Sequence, residues 1–169
     1  MTSPSLNYAI LSLDSYNRGY VPGVPGIDGT VVSDYSFRLD SAILVDSNGT
    51  RQDIAANFYA AAYQDSSGGI VISYRGTDDP VSDSVGWLGG AGFQTAQAEL
   101  AAEFYYQVKQ AYPGATITLT GHSLGGGLAG LIAKLTGSTA CVIDNMPFEL
   151  MGRAFAARTA RAIMAGPLG

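Results

Sequence analysis

The chain has 169 residues, the size of one compact domain, and a formal charge of −5 with no cluster of lysine or arginine. That balance argues against nucleic acid as a partner and against an anionic membrane surface, because both need concentrated positive charge. Apolar residues reach 47% and charged residues only 14%, which supports a buried core and excludes a disordered chain.

Pro4 after Ser3 reads as a helix start, with Leu6, Ile10 and Leu13 spaced for one buried face and the helix fading near Asn17-Arg18-Gly19. The residues before and within it carry no basic stretch and no long apolar run. No amino-terminal signal peptide is therefore expected, which leaves the cytoplasm or export by a signal elsewhere. Residues 19–29 are punctuated by Pro and Gly and read as loop. Between Thr30 and Asp46 the β-formers Val31, Val32, Tyr35, Phe37, Ile43, Leu44 and Val45 predict short strands, closed by a turn at Ser47-Asn48-Gly49.

Residues 57–63 and 69–75 predict a hairpin around Ser66-Ser67-Gly68-Gly69. Its second strand, Ile70-Val71-Ile72-Ser73-Tyr74-Arg75, is apolar enough to be covered on both faces. From about Gln94 to Tyr112 the period turns helical, with Ala101, Phe104, Val108 and Ala111 on one stripe and Pro113-Gly114 ending it. Residues 115–120 predict a short strand, Leu124 to Leu135 a helix stopped by Gly137, 139–143 another strand, and 153–164 a last helix. This alternation predicts an α/β fold, a mostly parallel sheet flanked by helices on its two faces. No run approaches the roughly 20 apolar residues that span a bilayer. Cys141 is the only cysteine, so no internal disulfide can form.

The chemistry concentrates at Thr120-Gly121-His122-Ser123-Leu124-Gly125-Gly126-Gly127, between a predicted strand and a predicted helix. A serine on so sharp a turn takes a strained backbone conformation that lifts its hydroxyl clear of the sheet. Gly121 and Gly125 are needed because side chains there would collide with strand and helix. The helix start also offers free N–H groups to an oxyanion. The competing reading is a glycine-rich helix start that Ser123 merely caps. Gly125-Gly126-Gly127 lacks the Lys-Ser/Thr of a phosphate loop, and neither metal nor cofactor is expected.

Gly121-His122-Ser123-Leu124-Gly125-Gly126, with the strand ending Tyr74-Arg75-Gly76-Thr77, resembles the class 3 (fungal-type) lipases and their bacterial relatives. The resemblance runs over about residues 58–148. It implies an α/β-hydrolase acting on acyl esters or lipids, with Ser123 as nucleophile and Thr77 and Leu124 supplying the oxyanion-hole N–H groups. It also implies a lid after the oxyanion strand, where Trp87, Leu88 and Phe93 stand among glycines; a loop whose Trp87 packs into the core is the alternative. Arg75 is expected to tie down backbone or an acidic loop residue.

A serine hydroxyl needs a base, and the one histidine, His122, adjoins Ser123, so its ring should point away and pack against a neighbouring element. Asp144, after the strand 139–143, is a candidate acid; Asp144 and Asn145 could instead shape the pocket. In the resembled family the acid and base follow the nucleophile by more than the 46 residues left here. Residues 1–169 are therefore expected to form a single partial domain, incomplete at its C-terminal side and inactive alone. The competing class is a non-catalytic fragment or pseudoenzyme that self-associates, or accepts a complementing C-terminal segment, through an unfinished sheet edge.

Overall fold

A computed structural model describes residues 4–17, 31–32, 34–76 and 91–144, with backbone alone for 17, 31–32 and 91–95. The elements in order are α1 (Pro4–Asn17), β1 (Val31–Val32), β2 (Tyr35–Asp40), a 3₁₀ turn (Ser41–Ile43), α2 (Gln52–Ala55), β3 (Ala60–Gln64), β4 (Ile70–Tyr74), α3 (Ala91–Ala111), β5 (Ile117–His122), α4 (Leu124–Thr136) and β6 (Thr139–Ile143). The expected loop at 19–29 and helix at 153–164 lie outside the described residues.

The six strands form one sheet in the order β1-β2-β3-β4-β5-β6. The sheet is mixed. β1 to β4 pair antiparallel, and only β4, β5 and β6 run parallel. The expected parallel sheet is thus its second half, where α3 and α4 supply the crossovers. Antiparallel neighbours need only a tight turn, whereas parallel ones need a crossover such as α3 or α4.

The β3–β4 turn is held by one side chain. Asp65 Oδ1 accepts from Ser67 N at 2.8 Å, Ser67 Oγ at 2.7 Å and Gly69 N at 2.9 Å, while Gly68 takes φ 90°. Burial pushes the Asp65 carboxyl up, but these hydrogen bonds outweigh it and hold the group below its ordinary value. Asp46 does the same for the Asn48-Gly49 turn, accepting from Asn48 N and Thr50 N at 2.8 Å each. Residues 41–43, read as strand from their β-formers, form a 3₁₀ turn instead, because Asp40 caps Ala42 N at 3.0 Å.

One face of the sheet carries the larger core: Ala60, Ala62, Ile70, Ile72, Tyr74, Ile117 and Leu119 meet Ala101, Phe104 and Val108 of α3 and Leu128, Ala129 and Ile132 of α4. Ala111, expected on the same stripe, is exposed as the last residue of α3. The other face, bearing Ala61, Tyr63 and Val71, is covered by α1 through Leu11.

α1 is rotated from its sequence expectation. Leu6 and Leu13 are 49% and 40% exposed, while Asn7, Leu11, Ser12, Asp14 and Ser15 are buried. The reason lies in the surface it meets. Tyr63 Oη donates to Asp14 Oδ2 at 2.6 Å, and Ser12 and Ser15 donate back to helix carbonyls at 2.7 Å each. With the Tyr63, Ser12 and Ser15 hydroxyls each given an acceptor, burying them costs less, and an apolar face is not needed there.

Candidate active site

β5 ends at His122, α4 begins at Leu124, and Ser123 makes the whole connection. Its φ of 54° and ψ of −122° lie where side chains are rarely tolerated, so the turn is strained. Ser123 occupies the N-cap position of α4 but makes no side-chain cap hydrogen bond, which removes the capping explanation for a serine here. Its backbone is tied on both sides: Ser123 N donates to Ile143 O at 3.1 Å, and Gly127 N donates to Ser123 O at 3.1 Å.

The glycines are required by contact. A methyl group on Gly121 would overlap the Gly125 carbonyl and stand 2.8 Å from Gly126 N. On Gly125 it would overlap the Tyr74 carbonyl oxygen and stand 2.8 Å from the carbonyl carbon of Arg75. The first turn of α4 therefore lies directly on the end of β4. Leu124 is buried, and its N–H belongs to that first turn, whose donors have no partner within the helix.

β4 and β5 pair with Tyr74 opposite Gly121, which brings the residues after Tyr74 alongside Ser123. Gly76 confirms the approach: a methyl group on it would touch Ser123 Cβ at 3.4 Å and stand 2.7 Å from His122 O. Thr77, the expected oxyanion donor, is the next residue and lies outside the described residues, as do Trp87, Leu88 and Asn145. Phe93 falls in the first turn of α3, which begins at Ala91, a few residues before the sequence places it. Its side chain is not described.

Arg75 is buried and ties backbone as expected. Its Nη2 donates to Asn57 Oδ1 at 2.9 Å and Asn57 O at 3.4 Å, and the guanidinium lies 6.0 Å from the Tyr59 ring centroid. Gln97 Nε2 holds the same loop from α3, donating to Ala56 O at 2.9 Å and Asn57 O at 3.1 Å. Together they anchor the strand end that leads to Thr77.

The His122 ring packs against α1. Nδ1 lies 3.1 Å from Tyr16 Oη, and the two rings meet edge to face with centroids 6.0 Å apart. Tyr16 escaped sequence reasoning, because only tertiary packing brings it to His122. Asp144 follows β6, whose Ile143 pairs with His122, so it stands level with Ser123 on the neighbouring strand. It is exposed, with φ 45°. Among the described residues no histidine other than His122 can meet it, and no group of His, Cys, Asp and Glu could hold a metal. A polar cleft lined by Tyr8, Tyr35, Asp65, Thr116 and Thr118 opens at the amino ends of β4 and β5, the opposite end of the strands from Ser123.

A mixed sheet with helices on both faces, and a strained strand–serine–helix turn at its carboxyl edge, is the architecture of lipase-type α/β-hydrolases. The chain belongs to the Tle-like phospholipase domain family, a phospholipase-like group whose family model matches residues 7–146. The lipase of Rhizopus microsporus var. chinensis is similar in structure at TM-score 0.56 and 18% identity, over 92% of this chain and 62% of that one. Lip2 lipase of Yarrowia lipolytica follows at TM-score 0.53 and 17% identity, over 81% and 56%. At such identities the likeness is one of fold. The chain spans between 44% and 62% of the length of these and similar fungal lipase structures. No curated protein sequence matches it.

Proposed function

We propose that the protein of which this chain is the nucleophile-bearing part is a serine carboxylester hydrolase acting on lipid acyl esters, the phospholipid esters named by its family included. The observation that carries the reading is the Ser123 turn, strained at φ 54° and without the cap bond that would otherwise explain its serine. Ser123 Oγ attacks the ester carbonyl carbon and passes its proton to a base. The N–H groups of Leu124 and Thr77 receive the tetrahedral oxyanion. The ester C–O bond then breaks, the alcohol leaves with a proton, and water hydrolyses the acyl-enzyme to release the fatty acid and restore the serine.

The chain's one histidine is not that base. Its ring contacts Tyr16 on the α1 side of the sheet, so the base comes from outside these residues and the chain alone does not turn over. Trp87, Leu88 and Phe93 suit a lid over the acyl site, with Asn145 at its rim and Asp144 as a candidate acid.

A fluorophosphonate probe tests the nucleophile. Labelling at Ser123, located by peptide mass spectrometry and abolished in Ser123→Ala, is the expected result, without hydrolysis of p-nitrophenyl esters. With no base in the chain to take the serine's proton, labelling should be slow. A Ser123 still unlabelled in the folded chain after prolonged exposure to excess probe sinks the reading, and steady ester turnover lost in Ser123→Ala sinks the missing base.

A second reading, a non-catalytic chain that associates through its sheet, draws on β6. Every residue of this last described strand is at least partly exposed, whereas β4 is wholly buried. A dimer in solution whose formation protects the β6 amides from hydrogen exchange would favour it; a monomer without such protection would remove it.

A further inference from the structure

We infer that Tyr16 is a positioning residue for Ser123, acting through His122; this rests on the nucleophile reading above. Two contacts meet at the Tyr16 hydroxyl, and a third leads on from one of them to Ser123. The hydroxyl lies 3.1 Å from His122 Nδ1, it fills the space a Cβ on Gly76 would need, and Gly76 in turn faces Ser123 Cβ. One hydroxyl on α1 therefore touches both the residue before the nucleophile and the residue before the oxyanion donor.

The polarity of the bond follows from acidity. A phenol is a far stronger acid than a neutral imidazole N–H, so we take Tyr16 as donor and Nδ1 as acceptor, with the proton of the neutral ring on Nε2. That bond holds His122 as its Nε2–H tautomer and fixes the ring against α1. Because His122 is joined to Ser123 by one peptide unit, the fixed ring adds one more tie to those that Ile143 O and Gly127 N already place on the strained turn. The strain at φ 54° gives the turn a reason to relax when the tie is cut. Gly76 serves the same arrangement, since any side chain there would displace the hydroxyl.

The test exploits the single histidine, whose ring nuclei give unambiguous signals. In the chain with labelled histidine, Nδ1 should show an acceptor-type nitrogen shift and Nε2 a protonated one at neutral pH. Tyr16→Phe, which keeps the ring, should move Nδ1 toward its unbonded value. It should also slow fluorophosphonate labelling of Ser123 about tenfold while leaving the melting midpoint nearly unchanged. In a His122→Gln background the same substitution should add nothing, since the effect runs through the imidazole. An Nδ1 signal indifferent to Tyr16→Phe disproves the bond. A shifted signal with unchanged labelling disproves the positioning role, and additive losses in the double variant disprove the route through His122. If the unaltered folded chain stays unlabelled even after prolonged exposure to excess probe, the nucleophile reading itself fails and this inference falls with it.

Discussion

Gly125 lies on the Tyr74 carbonyl with no room between them for a single carbon, and this contact joins the nucleophile turn to the strand that leads to Thr77. Gly125→Ala must push the two apart. A cost of about 3 kcal/mol is expected, at the upper end of overpacking penalties, since both sides of the contact are backbone. Gly121→Ala should behave alike, because its methyl meets the Gly125 carbonyl. Urea denaturation measures the loss. A change below about 0.5 kcal/mol in Gly125→Ala, the range of an ordinary surface substitution, would mean the close approach does not exist in solution.

Ser123 trades stability for position. A serine at φ 54° and ψ −122° carries strain that glycine would not feel. Ser123→Gly should therefore stabilise the chain by about 1 kcal/mol while abolishing fluorophosphonate labelling. Equal or lower stability in the glycine variant would argue against the strained geometry.

Arg75 anchors the strand end through a fork that a point charge cannot copy. Arg75→Lys loses the Nη2 bonds to Asn57 and leaves a buried ammonium beside the Tyr59 ring. A loss of about 2 kcal/mol is expected, the scale of a charge-assisted hydrogen bond in a buried site. Gln97 would still hold the Asn57 loop, so the fold should survive, and thermal melting reads the difference. An unchanged midpoint would place Arg75 outside the anchor.

The turns at Asp46 and Asp65 make acid destabilising. Backbone N–H bonds lower the Asp46 carboxyl below its ordinary value of 3.8, and at Asp65 the hydrogen bonds prevail over burial to the same effect. A depressed folded value means that the stabilisation is complete above the unfolded value. It is lost as pH falls below 3.8 and through the folded values. The melting midpoint should fall on that acid limb, and Asp65→Asn should flatten it. At the alkaline end, burial and the neighbouring Tyr8 raise Tyr35 to about 12. Its contribution is present below the ordinary value of 10.0 and fades as pH rises toward 12. An acid limb equally steep in Asp65→Asn would remove the Asp65 hydrogen bonds as its source.

Chain-local signals were legible in the sequence. Ile70 to Tyr74 and Ile117 to Leu119 declare strands by their branched side chains, and Gly137 stops α4 by taking the left-handed φ of 73°. Gly121-His122-Ser123-Leu124-Gly125 declares the sharp turn, because the steric need for glycine sits within a few residues of the serine. Tertiary structure decided what depends on distant surfaces. Tyr63 on β3 chose the polar face of α1 over Leu6 and Leu13, since a buried hydroxyl sought Asp14. The tight turn at Asp65 made β3 and β4 antiparallel neighbours. Tyr16 and His122 are 106 positions apart, and no local pattern could announce their contact, because only the packing of α1 across β5 creates it.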